Sequence, residues 1–365
     1  MKKSKGKVYL GLSGGVDSSV SADILKKQGY DVACVYMKCW DEGPGCSTKQ
    51  DVSDAVKVAS SLGLQFQEWD FVQDYKSNVL DSFIQSYKSG LTPNPDVLCN
   101  SEIKFGSFYK RVKSIDPEAF VATGHYVRTL SLDGRKYLAS GLDLSKDQSY
   151  FLYRISTSFD IINSCLFPIG EMKKVDVRRY AKNIGLPNMS RPDSQGLCFI
   201  GDVNMRQFLS TYIDKTNGPV VRVGGELIGE HMGLSFYTIG QRHGFSLSGY
   251  HGEPLYVIGK LPQSNTLIVG GREEAYFDEV HVSELLFIEK FKDLDLSVRV
   301  RNLGKNIPCS VTFDLDGKNE CDVKLKFSEF GIAPGQSVVF YHKDIVVGGG
   351  IVTKSGSSKI PQTTT

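Results

Sequence analysis

The sequence predicts an α/β protein with an N-terminal doubly wound parallel sheet, a small central domain that is mainly β, and a C-terminal β-barrel. Over the first third of the chain, apolar runs alternate with amphipathic segments, which is typical of a parallel sheet covered by helices. From about residue 218, short alternating runs separated by glycines and turns take over, which is typical of antiparallel sheets and barrels. We place the domains at residues 1–200, 201–274 and 275–365.

Four apolar runs predict the strands of the parallel sheet, and the segments between them predict its helices. The first helix carries Val16, Val20 and Ile24 at four-residue spacing and ends before Gly29. Because ligands bind beyond the carboxyl ends of such strands, we expect a site where the first strand ends. The predicted strands are 8–12, 30–37, 64–70 and 119–122, and the predicted helices are 17–28, 50–62, 74–89 and 104–115.

Beyond residue 126 the predicted structure is mostly β. Segments 126–130 and 136–140 flank an Asp-Gly turn and predict a hairpin. The basic amphipathic helix predicted at 171–184 is as typical of a solvated face as of a nucleic-acid contact. The predicted barrel strands are 279–283, 296–301, 309–314, 323–327, 337–341 and 344–352, and we expect the polar tail 354–365 to be disordered.

Composition indicates a globular protein of ordinary character. The chain has 365 residues, of which 41% are hydrophobic and 23% charged, and its net charge is +2. This balance excludes a surface dominated by one charge sign, although a local basic face is sufficient to bind nucleic acid. No apolar run is long enough to span a membrane and no signal peptide is visible, so we expect a cytoplasmic protein. The eight cysteines are then thiols rather than a disulfide scaffold.

The loop after the first strand predicts an anion site. It reads Ser13-Gly14-Gly15-Val16-Asp17-Ser18, and its glycines allow a sharp turn and a close approach of the backbone. The N–H groups and the positive dipole end of the following helix then face the anion. A Walker loop would carry a Lys-Ser or Lys-Thr pair after its last glycine, and this loop has none. A tight turn without a ligand is the alternative.

Two cysteines lie in contexts that suit a reactive thiol. Cys99 follows Pro93-Asn94-Pro95-Asp96, which we interpret as a rigid loop that fixes a carboxylate and a thiol. Cys198 follows a polar turn that contains Gly196, so we expect it to move and to lie apart from Cys99 in an unbound structure. A buried structural role is the usual fate of a free cysteine and remains the alternative for both.

Taken together, these stretches resemble one family, the tRNA-specific 2-thiouridylases of the PP-loop ATP pyrophosphatase superfamily. The resemblance covers nearly the whole chain and implies an N-terminal domain like the adenine nucleotide alpha hydrolases. The matching segments are the Ser-Gly-Gly-Val-Asp-Ser loop, 94–99, 122–126, 146–149, the turn at Cys198, 237–242, 333–336 and 348–350.

The resemblance also implies a nucleotide site and a pair of catalytic thiols. Cys198 would carry a persulfide sulfur, Cys99 would be its partner thiol, and Asp96 would orient the base or shuttle a proton. Met37 would contact adenine, and Gly124 would lie against the nucleotide. The residues implied to hold the ATP phosphates are Gly11, Leu12, Ser13, Gly14, Gly15, Val16, Asp17 and Ser18.

For tRNA, the resemblance implies contacts along the whole chain. Asn302 stands where the family usually has a tyrosine after the barrel arginine, so the implied aromatic contact has no counterpart here. We expect the barrel to be removable after about residue 274 without loss of ATP binding. The residues implied to meet the target base or the tRNA are Asn94, Pro95, Asp96, His125, Lys146, Asp147, Gln148, Arg301, Asn302 and Gln336.

The implied reaction is that of a sulfurtransferase. ATP with Mg²⁺ would adenylate the 2-oxygen of the wobble uridine, and a persulfide would replace it to give 2-thiouridine, AMP and pyrophosphate. The implied partners are tRNAs for Lys, Glu and Gln and a persulfide donor, either a sulfur carrier or a cysteine desulfurase. No membrane and no second copy of the chain are implied. The base must be splayed out of the anticodon loop, which single-stranded loops permit.

Two other functions fit parts of the sequence. A PP-loop synthetase for a small molecule would keep the ATP loop and change the acceptor, and a nucleotide-binding protein that recognises RNA would have no catalysis. Neither needs Cys99 and Cys198, so these thiols separate the hypotheses. We interpret Cys39 and Cys46 as structural or incidental because their spacing matches no common metal or redox motif. We expect no resident metal, and a metal cluster shared by Cys99, Cys198 and a third cysteine is the alternative. The remaining cysteines, in apolar or strand contexts, are expected in the core: Cys34, Cys165, Cys309 and Cys321.

Overall fold

The computed structural model describes residues 4–40, 48–193, 198, 204–314 and 318–356. The chain divides into two compact units. The first unit comprises residues 1–80, 95–203 and 344–347, and the second comprises 81–94, 204–343 and 348–365.

The helices of the described residues lie mostly in the first half of the chain. Their bounds are α1 (Val16–Lys27), α2 (Thr48–Ser61), α3 (Val72–Tyr75), α4 (Asp81–Lys88), α5 (Pro95–Leu98), α6 (Phe108–Ile115), α7 (Phe159–Ser164), α8 (Lys174–Asn183) and α9 (Met205–Ser210). Two segments are π-helical, Lys76–Leu80 and Cys99–Ser107. Short 3₁₀ segments are Ser149–Ile155, Leu234–Phe236, Pro262–Ser264, Arg272–Ala275 and Glu289–Phe291.

The strands fall into three groups along the chain. Those of the first unit are β1 (Lys7–Gly11), β2 (Asp31–Lys38), β3 (Gln65–Asp70), β4 (Phe120–Ala122), β5 (Val127–Leu132), β6 (Arg135–Ser140) and β7 (Cys165–Leu166). Those of the central segment are β8 (Gly218–Arg222), β9 (Leu227–His231), β10 (Ser246–Leu247), β11 (Tyr256–Leu261) and β12 (Thr266–Gly270). The last group is β13 (Tyr276–Phe287), β14 (Leu296–Arg299), β15 (Ile307–Phe313), β16 (Cys321–Phe330), β17 (Ser337–His342) and β18 (Ile345–Gly356).

A parallel sheet with strand order β3-β2-β1-β4-β7 forms the core of the first unit. Val8 and Leu10 point to one face, where they pack with Val20 of α1 and Val177 of α8. Tyr9 points to the other face, towards the ring of Trp69 on β3. The ring of Trp69 in turn packs on that of Phe108 of α6, with centroids 5.6 Å apart. Helices therefore cover both faces, which confirms the doubly wound sheet.

The first unit also contains the predicted hairpin. Strands β5 and β6 pair antiparallel, and both Asp133 and Gly134 at the turn have positive φ, as a tight two-residue turn requires. The first residues of β18 join this unit: Ile345 pairs with Ala139 of β6, and the carbonyl of Asp344 accepts a 2.8 Å hydrogen bond from the N–H of Ser140.

The second unit is built from two β-structures. The central sheet has the order β10-β9-β8-β12-β11, and the barrel has the order β13-β16-β15-β14-β17-β18 with β13 pairing back to β18. A Cβ on Gly350 would lie 2.6 Å from the carbonyl oxygen of Ser283, so glycine allows these closing strands to approach. The six-stranded barrel and the central β domain are as predicted.

Two local predictions are wrong. The segment before Cys99 is a short helix rather than a rigid loop, and Pro95 is its first residue. Proline suits this position because the first N–H of a helix has no partner within the helix and because the φ of proline is already helical. The tail predicted from residue 354 begins later, since β18 continues to Gly356. Residues 357–365, and the Gly196 turn expected to move, lie outside the described residues.

Candidate active site

The glycine loop joins β1 to α1 at the carboxyl edge of the sheet. Gly14 has a φ of +78°, and a Cβ there would lie 2.5 Å from the carbonyl oxygen of Asp51. The amide nitrogen of Asn188 donates to the carbonyl of Gly14 at 2.7 Å and to the hydroxyl of Ser19 at 2.9 Å. The loop is therefore fixed in one conformation, which only glycine permits at residue 14.

The N-terminal turn of α1 is left open by its neighbours. No side chain caps the helix at Gly15, and a Cβ on Gly124 would lie only 2.6 Å from the amide nitrogen of Ser18. Close by, a Cβ on Gly11 would lie 2.8 Å from the Cε atom of Met37. The buried Oδ1 atom of Asn188 has no hydrogen-bond partner among the described residues. Open amides, glycine surfaces and a spare acceptor fit a phosphate-bearing nucleotide.

Asp17, in the first turn of α1, is held by two side chains distant in sequence. The ammonium of Lys174 lies 2.8 Å from both of its carboxylate oxygens, and the hydroxyl of Tyr126 donates to Oδ1 at 2.7 Å. The same ammonium lies 2.8 Å from Oδ1 of Asp193. Lys174 thus bridges two carboxylates beside the helix N-terminus.

Asp193 is the centre of a cationic cluster. Its second oxygen accepts from Lys146 at 2.8 Å, and Arg178 also pairs with Oδ1. Partial burial would raise the pKa of Asp193, but Lys146, Lys174 and Arg178 together hold this pKa well below its usual value. Three cations, Lys146, Lys174 and Arg178, therefore lie beside the anion loop, where the carboxylates of Asp17, Asp193 and Asp143 surround them.

Cys99 and Cys198 are in direct contact. Their sulfur atoms lie 2.9 Å apart, and both are free thiols. This separation exceeds the disulfide bond length of about 2.05 Å. Cys99 is completely buried, whereas Cys198 is partly exposed. The expectation that an unbound structure holds the two cysteines too far apart to bond is met only narrowly: the sulfurs are not bonded, but they are in contact.

The backbone of Cys198 is anchored at both ends. The hydroxyl of Tyr75 donates to its carbonyl oxygen at 2.8 Å, and the carboxylate of Asp96 accepts from its N–H. Burial raises the pKa of Asp96, while the ammonium of Lys104 and the hydrogen bond from Cys198 act in the opposite direction. Asp96 therefore positions the thiol as well as adding a titratable group beside it.

The two thiols have opposite acidities. The hydrogen bond from Cys99 lowers the pKa of Cys198, against the effect of burial, and the ammonium of Lys104 lowers it further. Burial raises the pKa of Cys99 well above its usual value, and the neighbouring Cys198 sulfur raises it more. Ionisation is therefore favoured at Cys198, the more accessible of the two sulfurs, over Cys99.

His125 is buried, 6% exposed, between two polar neighbours. Its Nδ1 atom lies 2.8 Å from the hydroxyl oxygen of Thr123, and its Nε2 atom lies 3.5 Å from the ammonium of Lys104. Burial lowers the pKa of His125 well below its usual value, and the Lys104 charge lowers it further, so the ring is neutral. Its contact with tRNA stays a prediction.

The predicted tRNA residues at 146–148 have partners inside the first unit. Asp147 is fully buried and accepts hydrogen bonds from the N–H of Gly141 at 2.8 Å and of Ser149 at 3.0 Å. Gln148 accepts from the N–H of Tyr126 at 3.0 Å. These two side chains fix the backbone at Tyr126, Gly141 and Ser149, and their role towards tRNA stays a prediction.

The remaining predicted tRNA residues belong to the second unit. Gln336 donates to the carbonyl of Thr92 at 2.7 Å, just before Asn94. Arg301 is paired with Glu329 on β16 and is half exposed, whereas the amide oxygen of Asn302 is buried with no hydrogen-bond partner among the described residues. A tRNA contact is therefore more accessible to Arg301 than to Asn302.

Several residues of the site were missed from the sequence: Tyr75, Lys104, Tyr126, Lys174, Arg178, Asn188 and Asp193. Each acts through a contact that only folding creates, as with Lys174 and Asp17, which are separated by 157 positions. For Lys104 the sequence held one indication of a place near Cys99: it lies five residues after Cys99, in a segment whose apolar residues do not follow regular helical spacing. For the others we find no signal in the sequence.

Cys39 lies closer to the site than the sequence suggested. It is 1% exposed, and its pKa is raised well above the usual value by burial and by the charge of Cys198. Cys46 lies outside the described residues. The predicted core cysteines Cys34, Cys165 and Cys321 are buried, and Cys309 is partly buried. Within the described part of the chain, no group of three or more His, Cys, Asp or Glu side chains could hold a metal ion.

Three family models match successive parts of the chain. Residues 6–202 match a model described as the tRNA methyl transferase HUP domain. Residues 206–271 match the tRNA methyl transferase PRC-barrel domain, and residues 277–352 match the aminomethyltransferase beta-barrel domain.

Similar proteins extend over nearly the whole length. The tRNA-specific 2-thiouridylase MnmA of Idiomarina loihiensis is 40% identical over 366 residues, which cover 96% of this chain and 97% of that protein. The protein of the same name from Proteus mirabilis is 41% identical over 364 residues, with 96% and 97% covered. A solved 4-thiouridine synthetase–RNA complex with bound ATP aligns at 18% identity over 56% of this chain and 50% of that chain, with a TM-score of 0.33, and a likeness this weak carries no argument. The full-length relatives confirm the resemblance: the chain belongs to the family of tRNA-specific 2-thiouridylases.

Proposed function

We propose that this protein is a tRNA-specific 2-thiouridylase that replaces the 2-oxygen of the wobble uridine with sulfur. The observation that carries the proposal is the contact of two free thiols, Cys99 and Cys198, with their sulfurs 2.9 Å apart. Cys99 is buried and its pKa is raised, whereas Cys198 is more accessible and its pKa is lowered. This difference suits a sulfur carrier, Cys198, and a partner thiol that later displaces the sulfur.

ATP would supply the activation of the uridine oxygen. The residues of the loop 11–18 would bind its phosphates through the open amides of α1, and Gly124 would let the nucleotide approach the helix. Asp17 would hold Mg²⁺ once Lys174 moves from its carboxylate to the phosphates, and Lys174 and Lys146 would neutralise the departing pyrophosphate. Met37, beside Gly11, would contact the adenine.

Sulfur transfer would use the thiol pair in sequence. The terminal sulfur of a Cys198 persulfide attacks C2 of the adenylated uridine, a C–S bond forms, and AMP leaves with the oxygen. The Cys99 thiolate then attacks the Cys198 sulfur, and its proton passes to a neighbouring base such as Asp96. The Cys198–sulfur bond breaks, 2-thiouridine is released, and a Cys99–Cys198 disulfide remains for a thiol reductant to restore.

The proposed partners follow from this chemistry. The substrates are tRNAs with a wobble uridine, those for Lys, Glu and Gln, and the sulfur comes from a carrier or desulfurase that presents a persulfide. We propose that the enzyme works as a monomer in the cytoplasm. Among the described residues, no helix has the length and apolar character needed to cross a membrane.

The thiol pair also separates this function from the alternatives. A small-molecule synthetase or a nucleotide-binding protein that recognises RNA needs neither Cys99 nor Cys198. Methyl transfer, which two of the family-model descriptions mention, needs no persulfide carrier and no second thiol to release its product. Sulfur transfer alone uses the pair.

The test is to load the purified protein with ³⁴S-labelled persulfide and to add ATP and tRNA. Cys198→Ser should take up no label, whereas Cys99→Ser should take it up and transfer little of it to uridine. The fully buried Cys165→Ser serves as the matched thiol control and should behave like the wild type. Normal thiolation by Cys99→Ser would refute the paired mechanism, and label on Cys99 would exchange the two roles.

A further inference from the structure

Lys104 lies on the same side of its helix as Cys99 because of an unusual helical segment. Residues Cys99–Ser107 are π-helical, and i→i+5 hydrogen bonding gives a wider turn in which residues five apart lie nearer to one face of the helix. In a regular α-helix, residues five apart point in clearly different directions. The π-helical turn therefore turns the Lys104 side chain towards the thiol pair.

The ammonium of Lys104 contacts both the thiol pair and His125. It donates a hydrogen bond to the sulfur of Cys198 and lies 3.5 Å from Nε2 of His125. His125 is neutral and bonds Thr123 through Nδ1 at 2.8 Å, so Nδ1 carries the proton and Nε2 accepts from the lysine. The imidazole thus holds Lys104 in place without adding charge.

We propose that Lys104 is a positioning residue that keeps the Cys198 sulfur anionic and aligned to accept sulfur from the donor. This role deepens the proposed function and rests on it. In the loading step the Cys198 thiolate attacks the terminal sulfur of a donor persulfide, R–S–SH. A bond forms between Cys198 and that sulfur, the donor S–S bond breaks, and the donor leaves as a thiolate, so no oxidant or reductant is consumed.

Several charged or titratable groups of the described residues face the Cys198 sulfur, and among these groups Lys104 is the cation. The others are thiols or acids: Cys99 donates to the sulfur, Asp96 lies beside it, and Cys39 and Tyr75 lie nearby. Burial lowers the pKa of Lys104, but the negative charges of Cys198, Cys99 and Asp96 outweigh burial and raise it. The ionised Cys198 sulfur and the Lys104 ammonium therefore stabilise each other's charged form.

The experiment measures alkylation of Cys198 by iodoacetamide between pH 5 and pH 10 in the reduced full-length protein, read as the modified peptide by mass spectrometry. In the wild type we expect half-maximal alkylation below the ordinary thiol value of about 8.5. Lys104→Gln should raise this midpoint by about one pH unit, which lowers the thiolate fraction at neutral pH about tenfold. Lys104→Arg should keep most of the shift, and Lys110→Gln, on the exposed side of α6, should leave the midpoint unchanged.

A second readout separates charge from mere packing. Persulfide loading of Lys104→Gln from a small-molecule persulfide should be slow at pH 7 and should recover at pH 9, because more of the thiol is then ionised. A purely structural defect would not recover. If Lys104→Gln fails to fold, the wild-type midpoint still decides, since a value at or above about 8.5 overturns the proposal.

An unchanged midpoint of Cys198 alkylation in folded Lys104→Gln also overturns the role proposed for Lys104. Neither measurement uses tRNA, so the two proposals fail separately. If the wild type thiolates tRNA but its midpoint of Cys198 alkylation is not lowered, only the role of Lys104 is refuted. If the midpoint of Cys198 alkylation is lowered but the wild type does not thiolate tRNA, the proposed function is refuted.

Discussion

Single side chains in this site take their roles from neighbours that are remote in sequence. Asp17 lies in a recognisable loop motif, and that motif predicted the anion site. The partners of Asp17, Lys174 and Tyr126, lie on another helix and another loop. The sequence around these two residues does not predict their contact with Asp17. Likewise the thiols Cys99 and Cys198 were found by motif, while the cation that sets their acidity was not.

At this scale we expect Asp17→Asn to slow ATP cleavage strongly. The substitution keeps the shape of the side chain and removes the charge that Lys174 neutralises and that a phosphate-bound cation requires. The tRNA-dependent formation of AMP and pyrophosphate should fall by roughly a hundredfold, about 2.7 kcal/mol of transition-state stabilisation. Release of pyrophosphate measures it, with the melting temperature as a check on folding.

Asp160→Asn, at an exposed position on α7, is the matched control and should leave the rate unchanged. Undiminished AMP formation by Asp17→Asn would contradict the role assigned to the loop. ADP and phosphate as the products of the wild type would contradict cleavage between the α- and β-phosphates.

At the scale of elements, periodicity predicted which segments are helices and strands but missed their irregularities. The Pro-Asn-Pro pattern suggested a loop because proline usually ends regular structure, yet Pro95 begins α5. The π-helical segment Cys99–Ser107 could not be predicted, because it depends on the packing of its neighbours more than on local propensity. It is this segment that brings Lys104 to the thiols.

Gly106 tests the importance of the π-helical geometry. A Cβ on this residue would lie 2.7 Å from the carbonyl oxygen of Ser101, so Gly106→Ala should force the segment out of its present form. We expect a destabilised protein and a higher alkylation midpoint for Cys198, since Lys104 would be displaced. In contrast, Ser107→Ala in the same segment adds no atom and should have little effect. A wild-type midpoint in Gly106→Ala would show that the segment does not control the thiol.

At the scale of the whole molecule, the order of the folds along the chain was predictable and the division into units was not. Each domain type has its own pattern of apolar residues, which is why the parallel sheet and the barrel were recognised. The short stretch Asp344–Val347 belongs to the first unit although it opens the last strand. The carbonyl oxygen of Asp344 accepts from the N–H of Ser140 and its carboxylate accepts from the guanidinium of Arg128, both at 2.8 Å. Such long-range pairing leaves no pattern in the local sequence.

Removal of the chain after residue 274 should therefore damage the first unit, contrary to the expectation from the sequence. Strand β6 loses its partner at Ile345, and Arg128 loses Asp344. We expect the truncated protein to melt at a lower temperature and to bind ATP more weakly. Arg301→Gln in the full-length protein is the cleaner probe of the barrel: it should keep ATP affinity, weaken tRNA binding, and reduce the slope of log affinity against log salt by about one. Unchanged tRNA affinity would remove Arg301 from the interface.

The most direct test of the account is a single turnover of wild-type enzyme loaded with one labelled persulfide, with ATP and tRNA in excess and no reductant. Mass spectrometry of the nucleosides and of the Cys99–Cys198 peptides is performed on the same quenched samples. The account predicts that labelled 2-thiouridine and the Cys99–Cys198 disulfide appear together in equal amounts. Labelled 2-thiouridine that forms without the disulfide would contradict it.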